Sequence, residues 1–270
     1  MWSLGDYGEL APILEPAAEA IVERCHPDPS TRLLDVAAGT GNVAVIAAQR
    51  GAHVTASDLT PRMIELGRSR SGREGLDIDW VEADAEALPF ADGRFDVVTS
   101  AFGAMFTPRP ELAASELVRV TRPGGLVVMA NYAADGFFGR LGSIVASNAP
   151  SGSSPPSPFL WADPTIVRGR FAGLVSEPLV AQRSARFAFD SIEEGWAMLE
   201  RSNGPLNALH HIFGPEAYAD ARSRVLDLLA ELNIADDGRV VIEWTYALVI
   251  AKRDVTSTGV SEDDTTPSRG

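Results

Sequence analysis

The sequence predicts an α/β protein: a doubly wound, mostly parallel seven-stranded sheet with an antiparallel edge strand and a helical cap. Three observations lead there. Short apolar runs alternate with helical stretches through the first half of the chain, the rhythm of repeated βα units. A small-residue turn, Ala37-Ala38-Gly39-Thr40-Gly41, joins the first such run to the helix after it. Two long β-type runs, Val180 to Phe189 and Val240 to Ala251, lie far downstream, where they can pair antiparallel at the sheet edge.

Residues 9 to 25 place Leu10, Leu14, Ala17, Ala18, Ile21 and Val22 at intervals of three and four, which predicts an amphipathic helix. A short glycine-bearing arm, including Trp2, Gly5, Asp6, Tyr7 and Gly8, precedes and enters it. Arg32 to Val36 reads as a strand, Gly41 to Arg50 as a helix, His53 to Ser57 as a strand and Pro61 to Arg70 as a helix. Ile78 to Glu82, Phe95 to Thr99 and Leu126 to Asn131 continue the strands, with a helix over Glu111 to Thr121. Asp92-Gly93 and Pro123-Gly124-Gly125 fall where turns are needed before the fourth and fifth strands. Beyond Asn131 a helix is predicted over Phe137 to Ser147, then a Ser/Pro loop from Pro150 to Pro158. The interval between the last two strands is mostly helical and includes Pro215 to Leu232.

These elements make one domain over residues 1–253: an arm and helix to residue 30, a core over 31–133, a cap region with one strand over 134–239, and the last strand over 240–253. Residues 254–270 are polar and poor in large apolar side chains, as in a disordered tail.

Asp and Glu outnumber Lys and Arg by 37 to 23, a net charge of −14 that disfavours nucleic acid and anionic membrane faces as partners. The single cysteine, Cys25, has no internal disulfide partner, no Cys/His group has metal-site spacing, and no apolar run is long enough to span a bilayer. The amino terminus carries Glu9, Glu15, Glu19 and Glu23 instead of the basic and apolar regions of a signal peptide, so a reducing, cytoplasmic setting is expected.

Gly39 and Gly41 free the turn for positive φ and remove Cβ atoms, so main-chain groups at the start of the next helix can approach a ligand. Gly39-x-Gly41-x-x-Ala44 also fits a dinucleotide fingerprint, so the glycines alone leave a nicotinamide oxidoreductase open. The acids argue otherwise. Asp35, just before the turn, suits an ammonium group and opposes a pyrophosphate. Asp58, at the end of the second strand, can accept from ribose hydroxyls under either reading, and Asp84, after the third, can accept from an adenine amino group.

Residues 32 to 131 resemble the class I S-adenosylmethionine-dependent methyltransferases, particularly the branch of the quinone-biosynthetic enzymes. The resemblance is carried by Leu33 to Gly41, Val54 to Met63, Val81 to Phe90, Asp92-Gly93-x-Phe95-Asp96-Val97-Val98, and Leu117-x-Arg119-Val120-x-Arg122-Pro123-Gly124-Gly125. It implies S-adenosylmethionine as cofactor, with Asp35, Gly39 and Gly41 at its methionine end, Asp58 at the ribose, and Asp84 with the Ala85 backbone at the adenine. Leu59 and Met63 would line the adenosine pocket, and Ser100 to Phe102 would lie beside the sulfonium. Ala37 departs from the first glycine of the acidic-x-Gly-x-Gly-x-Gly pattern; a right-handed or extended backbone is expected there. Trp2 and Tyr7 either fold over the sulfonium as a lid or staple the first helix to the core.

Methyl transfer from a sulfonium needs mainly alignment of the acceptor and exclusion of water. His210, His211 and Glu243 are the candidate bases for an acceptor that must lose a proton. Ligands of open α/β sheets bind beyond the carboxyl ends of the strands, so Phe102, Met105, Phe106, Tyr132, Phe137, Phe138, Trp161, Trp196 and Phe213 are candidates to line an acceptor pocket. The expected acceptor is a small hydrophobic or aromatic metabolite. A noncatalytic S-adenosylmethionine-binding module, or a user of that cofactor for other chemistry, is the alternative beside the oxidoreductase.

Overall fold

The computed structural model describes residues 7–147, 156–208 and 214–255. The predicted tail, apart from Asp254 and Val255, therefore lies outside the described residues, as does the loop from residue 148 to residue 155.

The chain opens with helix α1 (Tyr7–Cys25), then alternates β1 (Arg32–Val36), α2 (Asn42–Gln49), β2 (His53–Asp58), α3 (Pro61–Arg73), β3 (Ile78–Glu82) and β4 (Phe95–Ala101). A 3-10 turn (Ala104–Phe106) leads into α4 (Pro110–Val120), β5 (Thr121–Tyr132) and α5 (Phe137–Ser147). A second 3-10 turn (Pro158–Ala162) precedes α6 (Pro164–Phe171), β6 (Leu179–Phe189), α7 (Ile192–Ser202), α8 (Gly204–Ala208), α9 (Pro215–Leu232) and β7 (Val240–Lys252). Short α6 was not foreseen; Asp163 caps it, its side chain accepting from the Thr165 and Ile166 amides.

The seven strands lie in the order β3-β2-β1-β4-β5-β7-β6. β1 to β5 are parallel, and β7 is antiparallel to both β5 and β6. The late strands therefore add beside β5 as expected, but the antiparallel strand is penultimate and β6 forms the edge. The order reverses between β1 and β4, the switch point at which open α/β sheets bind ligands.

β5 starts earlier than its predicted Leu126. The Pro123-Gly124-Gly125 segment extends the ladder: the Gly124 amide donates to the Arg253 carbonyl, and the Arg253 amide donates to the Gly125 carbonyl. The register shift between Phe95 and Val97 absorbs the irregularity.

Part of the family-like pattern serves the scaffold. Asp96 accepts from the Arg32 amide at 2.9 Å and from Arg122 Nε at 2.6 Å, tying β4 to the starts of β1 and β5. Arg119 donates to the Leu88 and Phe90 carbonyls and pairs with Glu116 and Asp92, fastening the segment after β3 to α4. No helix among the described residues is long and apolar enough to cross a membrane.

Candidate cofactor and acceptor site

Asp35 sits one residue before the end of β1, with Ala56 of β2 and Thr99 of β4 as its neighbours. Its side chain is buried; Oδ1 accepts from Thr99 Oγ1 at 2.9 Å and Oδ2 from the Ala44 amide at 3.2 Å, in the first turn of α2. Burial outweighs these hydrogen bonds and pushes its pKa up from 3.8 to about 7. A carboxylate so desolvated has much to gain from a cation beside it.

The turn after β1 is left-handed at three alternate positions: Ala37, Gly39 and Gly41 have φ of 52°, 57° and 87°. This corrects the expected backbone of Ala37: alanine occupies the left-handed region the glycine pattern calls for. Gly103 makes room for it, since a Cβ there would lie 2.5 Å from both the Ala37 Cβ and its carbonyl oxygen. Trp80 of β3 fits against the same turn and against α3. A Cβ on Gly41 would come within 2.8 Å of its ring, and one on Gly67 within 2.1 Å. The indole Nε1 donates to Ser71 Oγ.

The three acids stand on neighbouring strand ends. The Ala38 amide donates to the Ser57 carbonyl and the Ala83 amide to the Asp58 carbonyl, which holds the segments after β1, β2 and β3 side by side. Asp58 Oδ2 accepts from the Gly39 amide at 2.9 Å and Oδ1 from the Thr60 amide at 2.8 Å. Each oxygen keeps a second lone pair for a hydroxyl donor. Asp84 is half-buried and its Oδ1 accepts from the Glu86 amide. Ala85 and Met63 are buried, whereas Leu59 is 63% exposed beside Asp58, an apolar surface open to a ligand. Buried Glu86, to which the sequence reading gave no role, pairs with Arg109 at 2.6 Å and so joins the segment after β3 to the start of α4.

Near the end of β4, Ser100 Oγ donates to the Val36 carbonyl and accepts from the Ala104 amide, so its hydroxyl ties the 3-10 turn to β1. Phe102 has a φ of 61° and its ring stacks on Tyr132, with centroids 4.2 Å apart. Tyr132 stacks in turn on Phe138 at 4.7 Å, and Phe138 meets Trp244 edge-on at 5.1 Å. Phe137 joins through Phe138 and contacts Phe187. Met105 is buried and Phe106 half-buried in the 3-10 turn after β4.

Two further candidates for the acceptor pocket have ring partners outside this stack. Trp161 packs on Phe171 and under the Arg170 guanidinium, and Trp196 packs on Tyr218 and Arg222. Glu243 is also corrected. It alternates with buried Ile242 and Trp244 along β7, is exposed, and pairs with Arg186 of β6 at 2.8 Å, away from the aromatic stack. Strand alternation alone could have signalled this. Trp244, Tyr246 and Phe187, which the acceptor set omitted, complete the cluster. Trp2, His210, His211 and Phe213 lie outside the described residues, as does the side chain of Tyr7.

Comparison with known proteins agrees with this layout. A methyltransferase-domain family model matches residues 34–129. An uncharacterized protein of Mycobacterium tuberculosis is 37% identical over 262 residues, covering 94% of this chain and 93% of its own. The ubiquinone/menaquinone biosynthesis C-methyltransferase of a Ruegeria species is 42% identical over 118 residues, 42% of this chain and 47% of that protein. Among solved structures, a putative methyltransferase from Bacillus halodurans superimposes with a TM-score of 0.57 at 22% identity, covering 88% of this chain and 98% of that one.

Proposed function

This chain belongs to the class I S-adenosylmethionine-dependent methyltransferase family, and from that premise we propose that it methylates a small acceptor whose reacting part is apolar or aromatic. The observation that carries the acceptor class is the stack of Phe102, Tyr132 and Phe138, which begins at the first residue after β4 and is closed by Trp244. Flat apolar rings suit a flat apolar ligand. The net charge of −14 favours a small molecule over nucleic acid.

The donor set fits S-adenosylmethionine, the family's cofactor. A buried, desolvated carboxylate at Asp35 suits the methionine ammonium, Asp58 has lone pairs for ribose hydroxyls, and Asp84 suits the adenine amino group. Exposed Leu59 gives the adenosine an apolar cover, and Met63 is buried in the first turn of α3. When bound, the cofactor supplies an electrophilic methyl group and its own leaving group.

The chain's contribution is to orient the two reactants and keep water out. Asp58 holds the Gly39 amide and so sets the turn on which the cofactor rests. Ser100 fixes the segment after β4 to β1, which places Phe102 at the junction of cofactor and acceptor. Glu243 takes no part in this reading; an acceptor that must lose a proton would use His210 or His211.

Calorimetric titration with S-adenosylmethionine, S-adenosylhomocysteine and the nicotinamide dinucleotides tests the cofactor assignment. The first two should bind and the dinucleotides should not. Asp58→Ala should weaken binding about 10- to 100-fold, the worth of a hydrogen bond to a charged group. Selective dinucleotide binding would overturn the assignment. Methyl transfer assayed across aromatic and purely polar acceptors then tests the acceptor class, and turnover of polar acceptors alone would refute it.

A further inference from the structure

Trp244 is fully buried on β7, and its indole N–H has no hydrogen-bond partner among the described residues. Buried N–H groups are ordinarily paired, because an unpaired one forfeits its bond to water. Trp80 shows the ordinary arrangement, its Nε1 donating to Ser71. The unpaired donor of Trp244 sits in the aromatic cluster next to the segment after β4: its ring lies 5.8 Å from Phe102, 5.1 Å from Phe138 and 5.3 Å from Tyr246.

Among the described residues three others that are buried carry polar atoms without a hydrogen-bond partner, Trp161, Arg170 and Asn131, and none has a ring contact with this cluster. Trp161 has its ring against Arg170 and Phe171. Asn131 precedes Tyr132 on β5, so strand alternation turns it to the opposite face of the sheet.

We infer that Trp244 is a specificity-determining residue whose indole N–H donates to an oxygen carried by an aromatic acceptor. This rests on the aromatic-acceptor reading above and adds a chemical requirement to it. An indole is a donor only, so it selects an oxygen lone pair such as that of a ketone, ether or phenol, and gives nothing to a bare hydrocarbon. A site with a buried donor discriminates against a ligand that leaves the donor unpaired.

The test uses 15N-labelled full-length protein saturated with S-adenosylhomocysteine and two probes of one shape, 1-tetralone and tetralin, which differ by a carbonyl oxygen. The Trp244 indole cross-peak, assigned with Trp244→Phe, should shift with tetralone and not with tetralin. In that variant the affinity ratio of tetralone to tetralin should fall about three- to ten-fold, the worth of one hydrogen bond. If the variant does not fold, substituting Trp2, Trp80, Trp161 and Trp196 one at a time assigns the remaining peak and the shift measurement stands. A Trp244 peak that stays still while tetralone binds, or that moves equally with tetralin, overturns the inference and leaves the aromatic-acceptor reading intact. If neither probe binds the loaded protein, that reading fails and the inference falls with it.

Discussion

Ala37 and Gly103 form a pair in which one residue keeps a side chain only because the other has none: a Cβ on Gly103 would stand 2.5 Å from the Ala37 Cβ and from its carbonyl oxygen. Ala37 is also left-handed, with a φ of 52° that costs an alanine roughly 1–2 kcal/mol. The strain sits in the turn assigned to the cofactor, and the segment bearing Phe102 presses on it from the other side.

Ala37→Gly should therefore raise stability by about 1 kcal/mol, the relief of the backbone partly offset by the greater freedom of an unfolded glycine. Gly103→Ala should destabilise by about 1–3 kcal/mol through overpacking and should weaken S-adenosylhomocysteine binding. In a double-mutant cycle read by chemical denaturation, Ala37→Gly should rescue only part of the Gly103→Ala loss. It removes the Cβ contact and leaves the clash with the carbonyl oxygen. Strict additivity would show that the two positions do not press on each other.

Asp35 makes the ligand-free protein sensitive to pH. Its folded pKa, raised by burial to about 7, exceeds the ordinary 3.8, so between those values the folded chain holds a proton the unfolded chain has released. The stability contribution is fully present below pH 3.8 and is lost as pH rises through about 7. Cofactor binding should run the other way, strengthening as pH rises through the same point, because the ammonium needs the charged carboxylate. Asp35→Asn should flatten both profiles near neutrality, raise the ligand-free melting temperature at pH 8, and weaken S-adenosylhomocysteine binding there. An unchanged pH dependence of binding in the variant would remove Asp35 from the ammonium site.

Glu243 provides the contrasting case. Its pair with Arg186 is exposed on both sides, and such pairs are worth about 0.2–1 kcal/mol. Glu243→Gln should leave the pH–rate profile for methyl transfer in place and lower stability by no more than that amount. Loss of the limb on which the rate rises with pH would restore it as a proton acceptor.

What was legible in the sequence follows from the range of the forces involved. The strand-turn-helix rhythm and the three acids could be read because each is local: Asp35, Asp58 and Asp84 stand at or near the ends of apolar runs whose period fixes the strands. The order of the last two strands was not local. Placing β7 between β5 and β6 depends on which edge the cap exposes, a tertiary choice that no window of sequence carries. Which aromatics stack together was hidden for the same reason, since Trp161 and Trp196 differ from Tyr132 and Phe138 only in what they meet across the fold. The left-handed Ala37 depends on Gly103, which lies far along the chain on the segment after β4, and composition gives no sign of that link.

Trp80 offers the remaining test, because it connects the packing of α3 to the cofactor turn. Its ring lies where a Cβ on Gly67 would be, 2.1 Å away, and also bounds Gly41 at 2.8 Å. Gly67 lies inside α3, where alanine is intrinsically favoured by about 1 kcal/mol. Helix propensity alone therefore expects Gly67→Ala to stabilise. The clash instead predicts a loss of about 1–3 kcal/mol, since the ring must move and its Nε1 bond to Ser71 must stretch. Displacing the ring toward Gly41 should also weaken S-adenosylhomocysteine binding, although Gly67 lies on α3 and outside the turn itself. Pairing Gly67→Ala with Trp80→Leu should recover cofactor affinity if the ring transmits the effect. Denaturation and calorimetry on the two single variants and the double separate these contributions. A stabilised Gly67→Ala with unchanged affinity would show that Trp80 yields freely and does not brace the turn.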